Sequence, residues 1–274
     1  MAERSSRTSD PLLLIDADVF AYKAAAGAEK PIIFEDGWVF PGCNLYDAES
    51  AFWGLVYAVL EQLDASLEHC IFCFSTDHNG GFRRGVLPSY KANRDGKPRP
   101  IGLKPLREKL MNEILPEAQV YIREGLEADD CLGILATRNK FHPDKQKIIV
   151  SVDKDMKTLP GYFYNMGHPE EGVLFVSEAD ADRWFFMQVL MGDATDGYTG
   201  CPGVGPKGAE KALADCTTPE EMWSAVVKAY EKAGLGEAEA ITQARVARIL
   251  RASDYDFKNK SVKLWSPNYE TALH

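Results

Sequence analysis

Acidic side chains recur where short apolar runs end. "LLLI" leads into Asp16 and Asp18, "IFCFST" into Asp77, and "KIIVSV" into Asp153 and Asp155. Glu127, Asp129 and Asp130 come just after "AQVYIRE", and Asp193 and Asp196 follow "FFMQVLMG". Singly, each is an ordinary cap or loop residue. Gathered at one place, so many carboxylates repel and resist ionisation. Divalent cations remove that cost, and Mg²⁺ takes oxygen ligands without a His or Cys cage. Histidine is scarce in these stretches, which disfavours zinc. A hard-metal, all-carboxylate site points to phosphodiester chemistry. Two ions about 3.5–4 Å apart then activate a water and stabilise the leaving oxygen, with no protein nucleophile. No G-x-S-x-G or P-loop lysine motif is present.

A basic segment starts just after Asp77. Between Arg83 and Lys109 lie nine basic residues against Asp95 and Glu108, a net +7 in a chain of net charge −10. An acidic body with one basic stretch suggests a polyanion held at one place. Within "RRGVLPSYKANRDGKPRP", Lys91 and Arg94 are three apart and on a helix would share a face, within reach of one phosphate. Tyr90 could stack on a base. Further on, Gly203, Gly205 and Gly208 spell G-x-G-x-x-G, either a dinucleotide fingerprint or another phosphate cradle. An oxidoreductase would need those glycines between a first strand and its helix. Here a helix and a turn-rich stretch precede Gly203.

These residues need a frame. Apolar runs alternating with helical patterns, such as "DAESAFWGLVYAVLEQLDASL", imply an α/β fold with a mostly parallel sheet. In such a sheet, sites form at the carboxyl ends of the strands. Ser177 with Asp180, and Thr218 followed by Pro219, mark later helix starts. "SVKLWSP" reads as a short strand or extended tail. The expected organisation is a disordered N-terminus over 1–10, an α/β body over 11–195 with the basic segment at about 78–110, and a helical region over 196–274. Six scattered cysteines and no long apolar run fit an intracellular soluble protein. Cys70 and Cys73 would point to opposite faces of a strand, against a metal or redox pair.

"LLLIDAD", "LPSYKANRD", "GLEADD", "IIVSVDKDMKTLP" and "MGDATDGYTGCPGVGPKGAEKAL" occur in order over about residues 12 to 267. Together they resemble the 5′ nuclease (flap endonuclease) family, most like the 5′–3′ exonucleases of short-tailed lytic bacteriophages. The resemblance implies a PIN-like, mostly parallel sheet flanked by helices, with a helical arch and a C-terminal helix–hairpin–helix region. It implies metal ligands at Asp16, Asp77, Glu127, Asp129, Asp130, Asp153, Asp155, Asp193 and Asp196 for two Mg²⁺ or Mn²⁺. Lys91, Arg94 and Asp153 form the expected catalytic set. Arg83, Arg84, Tyr90, Lys91, Arg94, Gly203, Gly205, Lys207 and Gly208 are expected to bind DNA, with K⁺ at the hairpin. The implied activity is 5′–3′ hydrolysis of duplex DNA, of flaps and of the RNA in RNA–DNA hybrids. It would serve phage replication, primer removal or host DNA degradation in the infected cell's cytoplasm, alongside phage replication proteins and away from membranes. Asp196 is followed by Gly197 where cellular relatives usually carry Asn. A non-catalytic DNA-structure-binding protein on the same fold is the competing reading; it would need carboxylates missing that are all present here.

Overall fold

The computed structural model describes residues 10–76 and 81–267. The expected disorder of the first residues, the ligand role of Asp77 and the start of the arch lie outside the described residues. In chain order the elements are β1 (Leu12–Asp16), α1 (Ala17–Gly27), β2 (Glu29–Ile33), β3 (Val39–Cys43), α2 (Leu45–Leu63), β4 (Cys70–Cys73), α3 (Gly81–Val86), α4 (Leu103–Lys109), β5 (Val120–Tyr121) and α5 (Ala128–Thr137). They continue with β6 (Lys147–Ser151), β7 (Gly161–Asn165), β8 (Val173–Val176), α6 (Glu178–Met191), α7 (Pro206–Leu213), α8 (Pro219–Lys232), α9 (Glu237–Ala247), β9 (Tyr255–Asp256) and β10 (Ser261–Val262).

The main sheet has the order β5-β4-β1-β6-β7-β8. All its pairs are parallel except β7 with β8. The pleat sorts the "LLLI" run between two layers. Leu13 and Ile15 join Phe20, Phe52 and Val56 of α1 and α2; Leu12 and Leu14 join Cys131, Leu132 and Leu135 of α5. Burying each such Leu, Ile or Phe contributes about 1.5–3 kcal/mol. Cys70 and Cys73 fall in opposite layers as expected, and both thiols are free. Burial pushes the Cys70 thiol up to about 12.

The helices end where local chemistry says they should. Asn44 caps α2, Ser177 caps α6, and Thr218 with Glu221 forms a capping box on α8. Helices α6 to α9 pack around a separate cluster of Phe185, Phe186, Trp223 and Tyr230. The "SVKLWSP" strand is only β10, paired antiparallel with β9. Unanticipated is the hairpin β2–β3, which leaves Ile33, Trp38 and Val39 well exposed. Among the described residues no helix is long and apolar enough to cross a membrane.

Candidate active site

Parallel pairing of β1 with β4 and β6 brings their carboxyl ends to one edge. Asp16 ends β1 and caps α1, accepting the Val19 N–H at 3.2 Å. Its other oxygen accepts from Ser151 Oγ at 2.7 Å, across the strand pair. Burial pushes the Asp16 carboxyl up to about 7; Asp18 and Asp153 add to this against the Ser151 hydrogen bond. Asp129, in the first turn of α5, is pushed up by desolvation and then by Asp16 and Asp153. Asp153 accepts the Asp155 N–H at 2.8 Å. Its carboxyl is raised by burial, with Asp196 and Asp193 adding to it. Burial, then Asp153 and Asp193, push Asp155 up to about 7, and its Oδ1 is buried without a hydrogen-bond partner among the described residues. Asp153 thus links Asp16 and Asp129 on one side to Asp155, Asp193 and Asp196 on the other.

Asp193 and Asp196 sit on a closed loop. Asp193 and Tyr198 form a bridge, and the Asp193 carbonyl also accepts the Gly197 N–H at 2.8 Å. Asp193 Oδ1 accepts the N–H groups of Thr195 and Asp196, at 2.6 and 3.2 Å. The ends of the loop cross at Gly192 and Gly200, both with positive φ. A Cβ on Gly200 would lie 2.2 Å from the Gly192 nitrogen, so no other residue fits the crossing. The glycines of "GDATDGYTG" are therefore part of what places the two acids.

The basic segment lies down on this loop. The Lys91 N–H donates to the Asp196 carbonyl at 2.7 Å, and Asn93 Nδ2 reaches the carbonyls of Ala194 and Thr195. Lys91 and Arg94 do not share an α-helical face. Lys91 has left-handed φ, and Ala92–Arg94 is one 3₁₀ turn. They converge all the same: Lys91 Nζ is 2.6 Å from Glu127 Oε1 and 3.7 Å from Asp196 Oδ2, and Arg94 pairs with Asp196. Burial opposes the Lys91 charge, but Glu127, Asp196 and Asp129 outweigh it and raise the ammonium. Glu127 is likewise desolvated, yet Arg83 and Lys91 hold its carboxyl below the usual range. The result is a cleft of about 650 Å³ lined by acids including Asp16, Asp129, Asp153 and Asp196 together with Lys91 and Arg94.

Three expected roles meet different geometry. Arg83 is 2% exposed. Its guanidinium donates to both oxygens of Asp130 at 2.7 Å, to Glu127 at 3.3 Å, and to the carbonyls of Val246 and Arg248. No donor is left facing DNA. Asp130 is 0% exposed, and its oxygens also take the N–H groups of Leu250 and Glu127. It is turned into the protein rather than toward a metal. Tyr90 is buried, so its ring cannot stack on a base; its single O–H lies between two acceptors, Glu127 at 3.0 Å and Asp196 at 3.2 Å. Arg84 donates to the Tyr90 carbonyl and to Asp95. Gly203, Gly205, Lys207 and Gly208 are exposed around the first turn of α7. Ser151, which grips Asp16, was missed; its only sequence signal is its place two residues before Asp153. Among the described residues no three His, Cys, Asp or Glu side chains already stand close enough to hold an ion.

An acid-edged parallel sheet beneath a basic segment is the frame of a family that the comparisons identify. The chain belongs to the 5′–3′ exonuclease family: the model of its N-terminal resolvase-like domain matches residues 11–166. The chain is 28% identical over 286 residues to the exodeoxyribonuclease of Enterobacteria phage T3, with 93% of each chain covered. It is 28% identical over 285 residues to the exonuclease of Escherichia phage T7, at the same coverage. A 5′–3′ exonuclease of Mycobacterium tuberculosis is 28% identical, covering 74% of this chain and 70% of that one. The T5 D15 protein, solved with metal ions, has the same fold (TM-score 0.59, 17% identity, 86% and 89% coverage). A related structure is the T5 D15 flap endonuclease in a pseudo-enzyme–product complex with DNA and metal ions (TM-score 0.56, 16% identity, 86% and 93% coverage). The chain is thus a nuclease of the 5′–3′ exonuclease family, with a mostly parallel sheet flanked by helices.

Proposed function

We propose that the chain hydrolyses phosphodiester bonds at 5′ ends of duplex DNA, and at flaps and RNA–DNA hybrids, by a divalent-metal mechanism during phage replication in the host cytoplasm. One observation carries this reading: six acids, Asp16, Asp18, Glu127, Asp129, Asp153 and Asp196, share a cleft with Lys91 and Arg94. The donor set fits hard divalent ions. It is all oxygen, its members suppress one another's ionisation, and Asp155 carries an unpartnered buried oxygen. Asp16, Glu127, Asp129, Asp153, Asp155, Asp193 and Asp196 would hold two Mg²⁺ or Mn²⁺, with Asp77 contributing from beyond the described residues. Bound there, the ions supply an activated water and stabilisation of the leaving oxygen.

The chain's own residues do the rest. Lys91 and Arg94 pair with carboxylates at the cleft and would offer their charges to the scissile phosphate. Arg94 keeps planar donors suited to two phosphate oxygens. Gly203, Gly205, Lys207 and Gly208 would grip the duplex backbone at the start of α7, where K⁺ would add positive charge beside a phosphate. Asp153→Asn is the test. It removes Mg²⁺-dependent cleavage of a 5′-labelled duplex yet leaves duplex binding within about threefold. Full activity of the variant would overturn the reading.

A further inference from the structure

Ser75 lies two residues beyond β4, and three elements close on it. Asp18 Oδ2 accepts its N–H at 2.9 Å, and Arg107 Nη2 donates to its carbonyl at 2.6 Å. Arg107 Nε and Asp18 Oδ1 close the ring as an ion pair at 2.7 Å, without the alignment of a hydrogen bond. Ser75 Oγ accepts the Ala128 N–H at 2.8 Å, the first residue of α5. The Arg107 side chain is 8% exposed and its guanidinium lies 5.7 Å from the centre of the Phe74 ring. It thus reaches inward to the residues just beyond β4. Ala128 stands between Glu127 and Asp129, so whatever fixes Ser75 fixes the start of the helix that carries both acids.

We propose that Arg107 is a positioning residue: through Ser75 and Asp18 it holds the α5 start at the height at which Glu127 and Asp129 meet metal. The inference rests on the metal-dependent reading above. Residues that hold a metal-binding side chain in place through hydrogen bonds are worth about 10–100-fold in metal affinity or activity. Lysine keeps the charge but not the planar fork that spans Ser75 and Asp18 together, so it restores the function only in part.

The experiment measures Tb³⁺ luminescence titrations without DNA, and cleavage kinetics of a blunt duplex across Mg²⁺ concentration, with thermal melts as a folding control. In Arg107→Met the Tb³⁺ and Mg²⁺ midpoints rise about tenfold or more, with KM for the duplex within about twofold. Arg107→Lys falls between, and Ser75→Ala, which alters one hydroxyl, moves the midpoints the same way should Arg107→Met not fold. A lowered melting temperature with unmoved midpoints, or a raised KM with unmoved midpoints, overturns the proposal; the second makes Arg107 a phosphate contact. If the wild-type chain itself neither binds Tb³⁺ nor cleaves, the metal-dependent reading has failed instead.

Discussion

Asp130→Asn removes one charge from a buried ion pair and almost no volume. The aspartate receives two 2.7 Å hydrogen bonds from Arg83 as well as the Leu250 N–H. An asparagine can keep the Leu250 contact through its carbonyl, but its amide then faces the guanidinium donor to donor. Arg83 would retain Glu127, at 3.3 Å, as its nearest countercharge. Removing one partner of a buried pair costs about 3–5 kcal/mol. At about 2–4 °C per kcal/mol for a chain near this size, the melting temperature falls by about 6–20 °C. Circular dichroism melts in EDTA read that loss without interference from bound metal. Arg83→Met combined with Asp130→Leu, which removes both charges, is less damaging than the sum of the single changes. The reasoning is refuted if Asp130→Asn melts within about 1 °C of wild type while its Tb³⁺ affinity falls tenfold. Asp130 would then be facing a metal and not Arg83.

Three further outcomes are expected. Asp16 is pushed up to about 7, so the fold keeps a proton that the unfolded chain releases near pH 4. Its charge therefore opposes folding above pH 7, by at most about 4 kcal/mol, and this cost fades as pH falls toward 4. In EDTA, Asp16→Asn should melt above wild type at pH 8 and keep only a minor part of that advantage at pH 5; an equal gap at both pH values excludes the account. Lys91→Met takes a competing cation from Glu127 and Asp196, and so should tighten Tb³⁺ binding several-fold while cleavage is lost; weaker binding would contradict it. Gly200→Ala should cost well over the usual 1–2 kcal/mol for a left-handed residue, because its Cβ meets backbone at 2.2 Å. Gly203→Ala, with φ +77 but open space, should cost about that 1–2 kcal/mol alone, and melts of the two variants compare them directly.

The sheet and its acid edge were legible because strand identity and strand ends are local. "LLLID" states both its burial and its terminal carboxylate within five residues. That Lys91 and Arg94 act together beside the acids was legible as chemistry, not as geometry, since the helical spacing assumed for them gave way to a turn fixed by contacts with 194–196. What could not be read is pairing over long separations. Arg83 looks like any basic-segment residue until α9 and α5 close around it, with partners 44 to 165 residues away. Asp130 looks like Asp129 until the helix turns one inward and leaves the other facing the cleft. The hairpin β2–β3 was hidden by Pro31 and Pro41, which argue against a strand but stand opposite each other in a two-stranded ribbon.

The 193–198 loop makes its two acids unequal in what they tolerate. Asp193 Oδ1 already holds two backbone N–H groups of its own loop, so the residue is both scaffold and charge. Asparagine preserves the scaffold and deletes the charge; alanine deletes both. A family of substitutions at position 193 therefore separates electrostatics from architecture at a single atom. At position 196 the backbone contact is made by the main-chain carbonyl, so the side chain can vary while the loop stays tied to Lys91.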